Sequence, residues 1–267
     1  MKKLLILAIL GIVLISSVGC NTNSKTKTTT SNQESETLNE NKVIDEKINL
    51  DNATDIDVEI YAAQVSIKSY DGEEVKVIGK LSQKSDGLGV KRNGHEIQVI
   101  EKEYKSSRLD MNGEKNISRL DIMVPSKFKG NFKFDQGAGI LDIEGIKAKN
   151  IDISGGSVKS KCEDIKFDKL NLESGASEFD LNLKEKCGDI KINGGVGKLK
   201  LKMAEVGGNL EYEGGVGEID IIIPKNSPVN IVTEKGDGHY NINAQTSGEE
   251  KYTFDLSVGI GSINVRN

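Results

Sequence analysis

Tryptophan is absent from this 267-residue chain, proline and cysteine each occur three times, and histidine occurs twice. So few cysteines exclude a disulfide-dense secreted scaffold, and the 29 glycines lack the composition of a collagen-like chain. The two histidines, His95 and His239, leave little material for acid–base or metal chemistry. His95 follows a predicted turn. His239 occupies a variable surface position shared with Ile140, Ser157, Lys198, Glu218 and Ser262. No serine nucleophile elbow and no Cys–His pairing are visible, so nothing in the sequence supports catalysis or calls for a cofactor. After the N-terminus no apolar run approaches the roughly 20 residues that span a bilayer. A formal charge of −5, which becomes −7 once Lys2 and Lys3 are removed, argues against nucleic acid and against electrostatic attachment to anionic lipid.

The one long apolar run, Leu4 to Ile15, follows Met1-Lys2-Lys3 and precedes Ser16-Ser17-Val18-Gly19-Cys20. A basic start, a short apolar core and small residues before a cleavage point make residues 1–19 a secretory signal. With a cysteine at the cut, the segment resembles the lipobox of bacterial lipoproteins. That resemblance implies diacylation of Cys20 and a place on the outer face of the cell membrane. Gly19 fits the small residue required, whereas Ser17 departs from the usual leucine. Two acyl chains anchor stably where one does not, so the membrane is reached through lipid alone. Residues 20–42 contain one large apolar residue after the cysteine, Leu38, until the chain reaches Val43. They read as a disordered tether whose ends lie roughly 25 Å apart.

Beyond the tether, apolar and polar residues alternate, and a longer period overlies the alternation. Small-residue triplets begin at Gly137, Ser154, Gly175, Gly195, Gly215, Gly236 and Gly259. Two residues past each triplet stand Leu141, Val158, Phe179, Leu199, Ile219, Tyr240 and Ile263. Two further on come Ile143, Ser160, Leu181, Leu201, Ile221, Ile242 and Val265. Period-two alternation on both sides of a glycine predicts two short strands joined at a bend. A unit of about 20 residues cannot bury its apolar face alone, but stacked copies can. The outward residues after the triplets, Asp142, Lys159, Asp180, Lys200 and Asp220, alternate in sign, which register-stacked strands favour. We read these charges as a structural ladder rather than a binding site.

The first half carries a weaker copy of the unit. Tyr61-Ala62-Ala63 with Val65 and Ile67 imitates a triplet, and LDIMVP (120–125) matches IDIIIP (219–224). Val75–Ile78 and Ile97–Ile100 read as strands, Asn93-Gly94 as a tight turn, and 103–118 as a protruding loop. The expectation is therefore all-β: a single-domain β-solenoid over residues 43–267, a β-helix-like stack of about 20-residue coils with glycine-rich bends. The final strand near Val265 would form an exposed end through which copies associate end to end. Cys162 and Cys187 are the one remaining even pair. Two free thiols are the default and a disulfide is the alternative.

GGVGKLKLK, GGVGEIDIIIP, GDGHYNINA and VGIGSINV, with strands ending in Val-Pro or Ile-Pro, resemble the bacterial putative-adhesin family over about residues 44–267. That resemblance implies an adhesin-like β-solenoid at the cell surface. The leading expectation is a non-enzymatic lipid-anchored module that binds an envelope protein or glycan. A regulatory module in envelope-stress signalling is the second reading, and a carbohydrate-active solenoid enzyme a third. Calcium at the triplets is rejected, because Lys198 and Lys200 stand where a hard cation needs carboxylates.

Overall fold

The computed structural model describes residues 42–105, 117–234 and 237–267, and every regular element in them is a strand of one 14-stranded sheet. The signal segment, Cys20 and nearly all of the tether lie outside the described residues, as do most of the protruding loop and Gly236. Five strands make the middle of the stack: β7 (Asn131–Glu144), β8 (Asn150–Glu163), β9 (Lys169–Leu183), β10 (Asp189–Met203) and β11 (Leu210–Ile222). Each runs in parallel with the next and bends sharply at its glycines.

In β10 the alternation places Ile190 and Ile192 inward before the bend and Leu199, Leu201 and Met203 inward after it. Lys191, Lys198, Lys200 and Lys202 point out. Leu199 faces Phe179 on one side and Ile219 on the other, while Leu201 faces Leu181 and Ile221. A short third side, carrying buried Phe167, Cys187 and Val206 in successive coils, leads from each second arm to the next first arm. Every rung thus buries about five apolar side chains, each contributing roughly 1.5–3 kcal/mol. The solenoid expected from the repeat is the fold observed.

One triplet was misread. Gly137-Ala138-Gly139 aligns with Gly156-Ser157-Val158, two residues beyond Ser154-Gly155-Gly156. The inward columns therefore hold Ser160 and Cys162 in β8, where Val158 and Ser160 were expected, and Lys161 takes the place assigned to Lys159 in the charge ladder. A shift of two leaves every side chain on its own face, so alternation alone could not detect it. The packing does. A Cβ added to Gly156 would lie 2.6 Å from the Gly137 carbonyl oxygen, which makes Gly156 the residue that must be bare there.

Both ends depart from simple sequential stacking. The first long strand, β2 (Asp55–Tyr70), pairs directly with β7. Outside it lies a broken coil made of β5 (Glu96–Glu101) on its first arm and β6 (Ser118–Pro125) on its second. The last strand, β14 (Tyr252–Arg266), pairs directly with β11, and the broken coil of β12 (Val229–Thr233) and β13 (His239–Ile242) lies outside it. The expectation that the chain's final strand is the exposed end is therefore corrected: β14 is paired on both edges. An unbroken strand is favoured next to β11, because it continues the ladder from Leu210 to Ile222 without interruption.

At the N-terminal end three antiparallel strands close the stack. β3 (Glu74–Lys80) lies on β6, β1 (Val43–Asn49) on β3, and β4 (Leu88–Asn93) on β5. The β4–β5 connection is the predicted Asn93-Gly94 turn, where Gly94 takes φ 62°.

Candidate binding surface

The outward face of the second arms is ordered in rows. In two adjacent rows the sign alternates from strand to strand: Lys159, Glu178, Lys198 and Glu218 in one, and Lys161, Asp180, Lys200 and Asp220 in the next. The third row, Glu163, Asn182, Lys202 and Ile222, does not continue the pattern. Ion pairs cross the rungs at 3.1 Å (Lys159–Glu178), 2.9 Å (Lys198–Glu218) and 3.0 Å (Arg266–Asp220). On the short third side, Lys147 and Lys166 hold Glu185 at 2.9 and 2.8 Å and keep its carboxyl down at about 2. All of these groups are solvated, so each pair alone adds little and the lattice as a whole favours one register.

First arms carry a second ladder, of amides and carboxylates. Asn131 donates to Asp55 (2.7 Å), Asn150 to Asn131 (2.8 Å) and Asn171 to Asp152 (2.5 Å). Between the arms, the bends project Val196, Val216 and Ile260, which are 56, 44 and 60% exposed and adjacent in register. Glycines flank this ridge on both sides, at Gly195, Gly215 and Gly259 and at Gly197, Gly217 and Gly261. The ridge therefore stands above bare backbone. Toward the N-terminus the same column holds only Ala138, Ser157 and Ala176.

Two buried polar side chains were not singled out from the sequence, although period two places both inward. Glu101 continues Ile97 and Val99, and Gln136 continues Phe132 and Phe134. The Glu101 carboxylate is 2% exposed; it accepts the Tyr61 amide at 2.7 Å and the Ser118 hydroxyl at 3.2 Å. It thereby satisfies a bend amide at the point where the neighbouring coil is interrupted. Gln136 Nε2 donates to the carbonyls of Ala63 (2.7 Å) and Ala138 (3.1 Å), bracing the next bend.

Cys162 and Cys187 are both free and buried. Cys162 lies on a second arm between Ile143 and Leu181, whereas Cys187 lies on the short third side with its thiol against the Ile165 carbonyl. Burial pushes both thiols up to about 11, so neither is a reactive thiolate. His95 approaches the Asn52 carbonyl at 3.2 Å, and His239 is an exposed rung beside Ser262. The structure brings none of these four residues together into a site. Among the described residues no group of three or more His, Cys, Asp or Glu side chains is placed to hold a metal ion.

Fold and surface together define an all-β repeat protein with charged side chains ranked along an open face. The chain belongs to the Toastrack DUF4097 family, whose model matches residues 52–265. No curated protein matches it. Among solved structures it is similar to one titled a "putative cell adhesion protein" from Clostridium sporogenes. That chain shares 16% identity and a TM-score of 0.43, over 84% of this chain and 99% of that one. It is also similar to a "putative adhesin" from Bacteroides fragilis, with 13% identity and a TM-score of 0.43, over 84% and 97% of the two chains. A third, a "putative lipid binding protein" from Parabacteroides distasonis, shares 12% identity with a TM-score of 0.32, over 83% and 96%.

Proposed function

We propose that the chain is a lipid-anchored, non-enzymatic module on the outer face of the cell membrane that binds an envelope glycan or protein through its second-arm face. One observation carries the reading: in two adjacent outward rows the charge alternates in sign over four successive strands, β8 to β11. With coils roughly 4.8 Å apart, like charges recur about every 10 Å along the stack. An extended polymer with charged or polar groups at a regular interval meets such a lattice many times, so weak contacts add along its length. The lipobox-like Cys20 and the tether supply position and reach.

The test is retention of labelled mature protein on envelope fractions and on glycan and protein arrays. A variant with Lys198, Lys200 and Lys202 all changed to Glu should lose retention, and raised salt should weaken it. Unchanged retention by that variant, or degradation of a polysaccharide by the wild type, would sink the proposal. Anchoring is tested separately by radioactive palmitate labelling, expected to disappear in Cys20→Ala.

A further inference from the structure

The two ends of the stack are finished differently. At the N-terminal end the inward column that runs through Leu201 and Ile221 passes Ile67 and Ile122 and reaches Val77, and all five are 0% exposed. β1 then covers that end with Asp45, Glu46 and Lys47, and β4 guards the other arm with Lys91 and Arg92. Charged residues on edge strands are the usual protection against further pairing. At the C-terminal end the same column passes Val265 at 0% exposure and stops at Ile242, which is 39% exposed. No further coil covers it among the described residues. β12 and β13 pair only with β14, so their outer edges lack a strand partner.

The two strands at that open end carry no charge of their own, although Glu234, Asp237, Glu249, Glu250 and Lys251 lie beside them in the chain. From Val229 to Thr233 and from His239 to Gly248 there is no Asp, Glu, Lys or Arg, in a chain of which 29% is charged. Val232 adds a second exposed apolar side chain at the edge. Two uncharged edges meet without like-charge repulsion and without desolvating an unpaired charge, so these strands present no electrostatic barrier to pairing with a copy. Head-to-tail stacking is disfavoured, because the opposite end is charged and antiparallel.

We infer that the β12–β13 end is an interface for a second copy of this chain, joined tail to tail across a two-fold axis. Such an axis reverses strand direction, so the two edges meet as antiparallel strands, and the inward side chains around Ile231 and Ile242 of the two copies close one continuous core. The dimer is a stack of double length whose tethers leave from separate copies. This differs from association through Val265, which the interior position of β14 forbids.

The inference is tested on the chain from residue 20 with Cys20→Ser, by light scattering after size exclusion and by sedimentation. A dimer is expected. The triple variant Asn230→Lys, Val232→Lys and Asn241→Lys changes only outward-facing edge residues, and it should raise the dimer dissociation constant at least about tenfold. In parallel, the full-length chain in membranes carrying Val232→Cys should form an oxidised homodimer, and Lys47→Cys at the opposite end should not. The cross-link reads the interface even if the triple variant folds poorly. A monomeric wild type, a dimer unaffected by the three lysines, equal cross-linking at both ends, or a cross-link to another protein would each overturn the inference.

Discussion

Gly194 and Gly195 are adjacent in one bend, yet the stack treats them differently. A Cβ on Gly195 would fall against the Gly175 carbonyl oxygen, well inside contact distance; the equivalent approaches are 2.6 Å at Gly156 and 2.7 Å at Gly215. That carbonyl cannot retreat easily, because the flanking pairs Asn193↔Glu173 and Val196↔Ala176 hold the two backbones in register. A Cβ on Gly194 would meet nothing nearer than the Tyr212 hydroxyl at 3.7 Å, an ordinary contact. Overpacking a fixed backbone costs about 1–3 kcal/mol. Replacing an unstrained glycine by alanine instead gains about 0.4–1 kcal/mol through the unfolded state. In a domain of this size 1 kcal/mol moves Tm by about 2–4 °C, so Gly195→Ala should melt roughly 2–12 °C below wild type. Gly194→Ala should melt at or slightly above it. Calorimetry and far-UV circular dichroism on both variants decide the matter. Equal melting temperatures for the two would refute the claim that close coil-to-coil approach, and not bend flexibility, is what demands these glycines.

Further expectations follow from the same geometry. Leu199→Asp or Ile219→Asp places a carboxylate in a column that is 0–1% exposed and should cost several kcal/mol, read as loss of the folding transition. Lys200→Glu sets a third carboxylate between Asp180 and Asp220 and should destabilise by about 0.5–2 kcal/mol at low salt, with the deficit shrinking as salt rises. Glu185 has its carboxyl lowered from 4.5 to about 2 by Lys166 and Lys147, so its contribution is present above pH 4.5 and disappears as pH falls through about 2. A carboxyl titration by NMR should return to the ordinary range in a Lys147→Met/Lys166→Met variant. Cys162 and Cys187 should resist alkylation in native protein at pH 8 and react fully in denaturant, as expected of thiols pushed up to about 11.

Most of the stack was legible because one rung states its own rule. Alternation around Gly195-Val196-Gly197 gives the inward and outward faces of β10, and the recurrence of that pattern gives its neighbours. Legibility failed where two readings preserve the alternation. Ser154-Gly155-Gly156 and Gly156-Ser157-Val158 differ by two residues and put the same side chains inside. The register itself separates them, with Gln136 opposite Gly155 and Ala138 opposite Ser157. The order of coils at the ends was hidden for another reason: β12–β13 matches the repeat as well as β14 does, and strand continuity decides which of them lies against β11. The alternating charges were legible in the sequence except in β8, where Lys161 stands in the row expected to hold Lys159. Glu101 and Gln136 were readable from period two, but they were passed over because a polar residue at an inward position looks like the end of a strand.

The exchanged order at the two ends makes β2 and β14 the keystones of the stack. Among the described residues β12 and β13 pair with β14 alone, which follows them in the chain. Losing residues 252–267 would therefore remove two rungs, not one, and leave β11 as a raw edge. The same holds at the other end, where β5 and β6 are assembled on β2 and β7 closes against its far side. A stack built this way cannot be shortened by trimming. It exists whole, with β2 and β14 in place, or it frays from both ends toward β7 and β11.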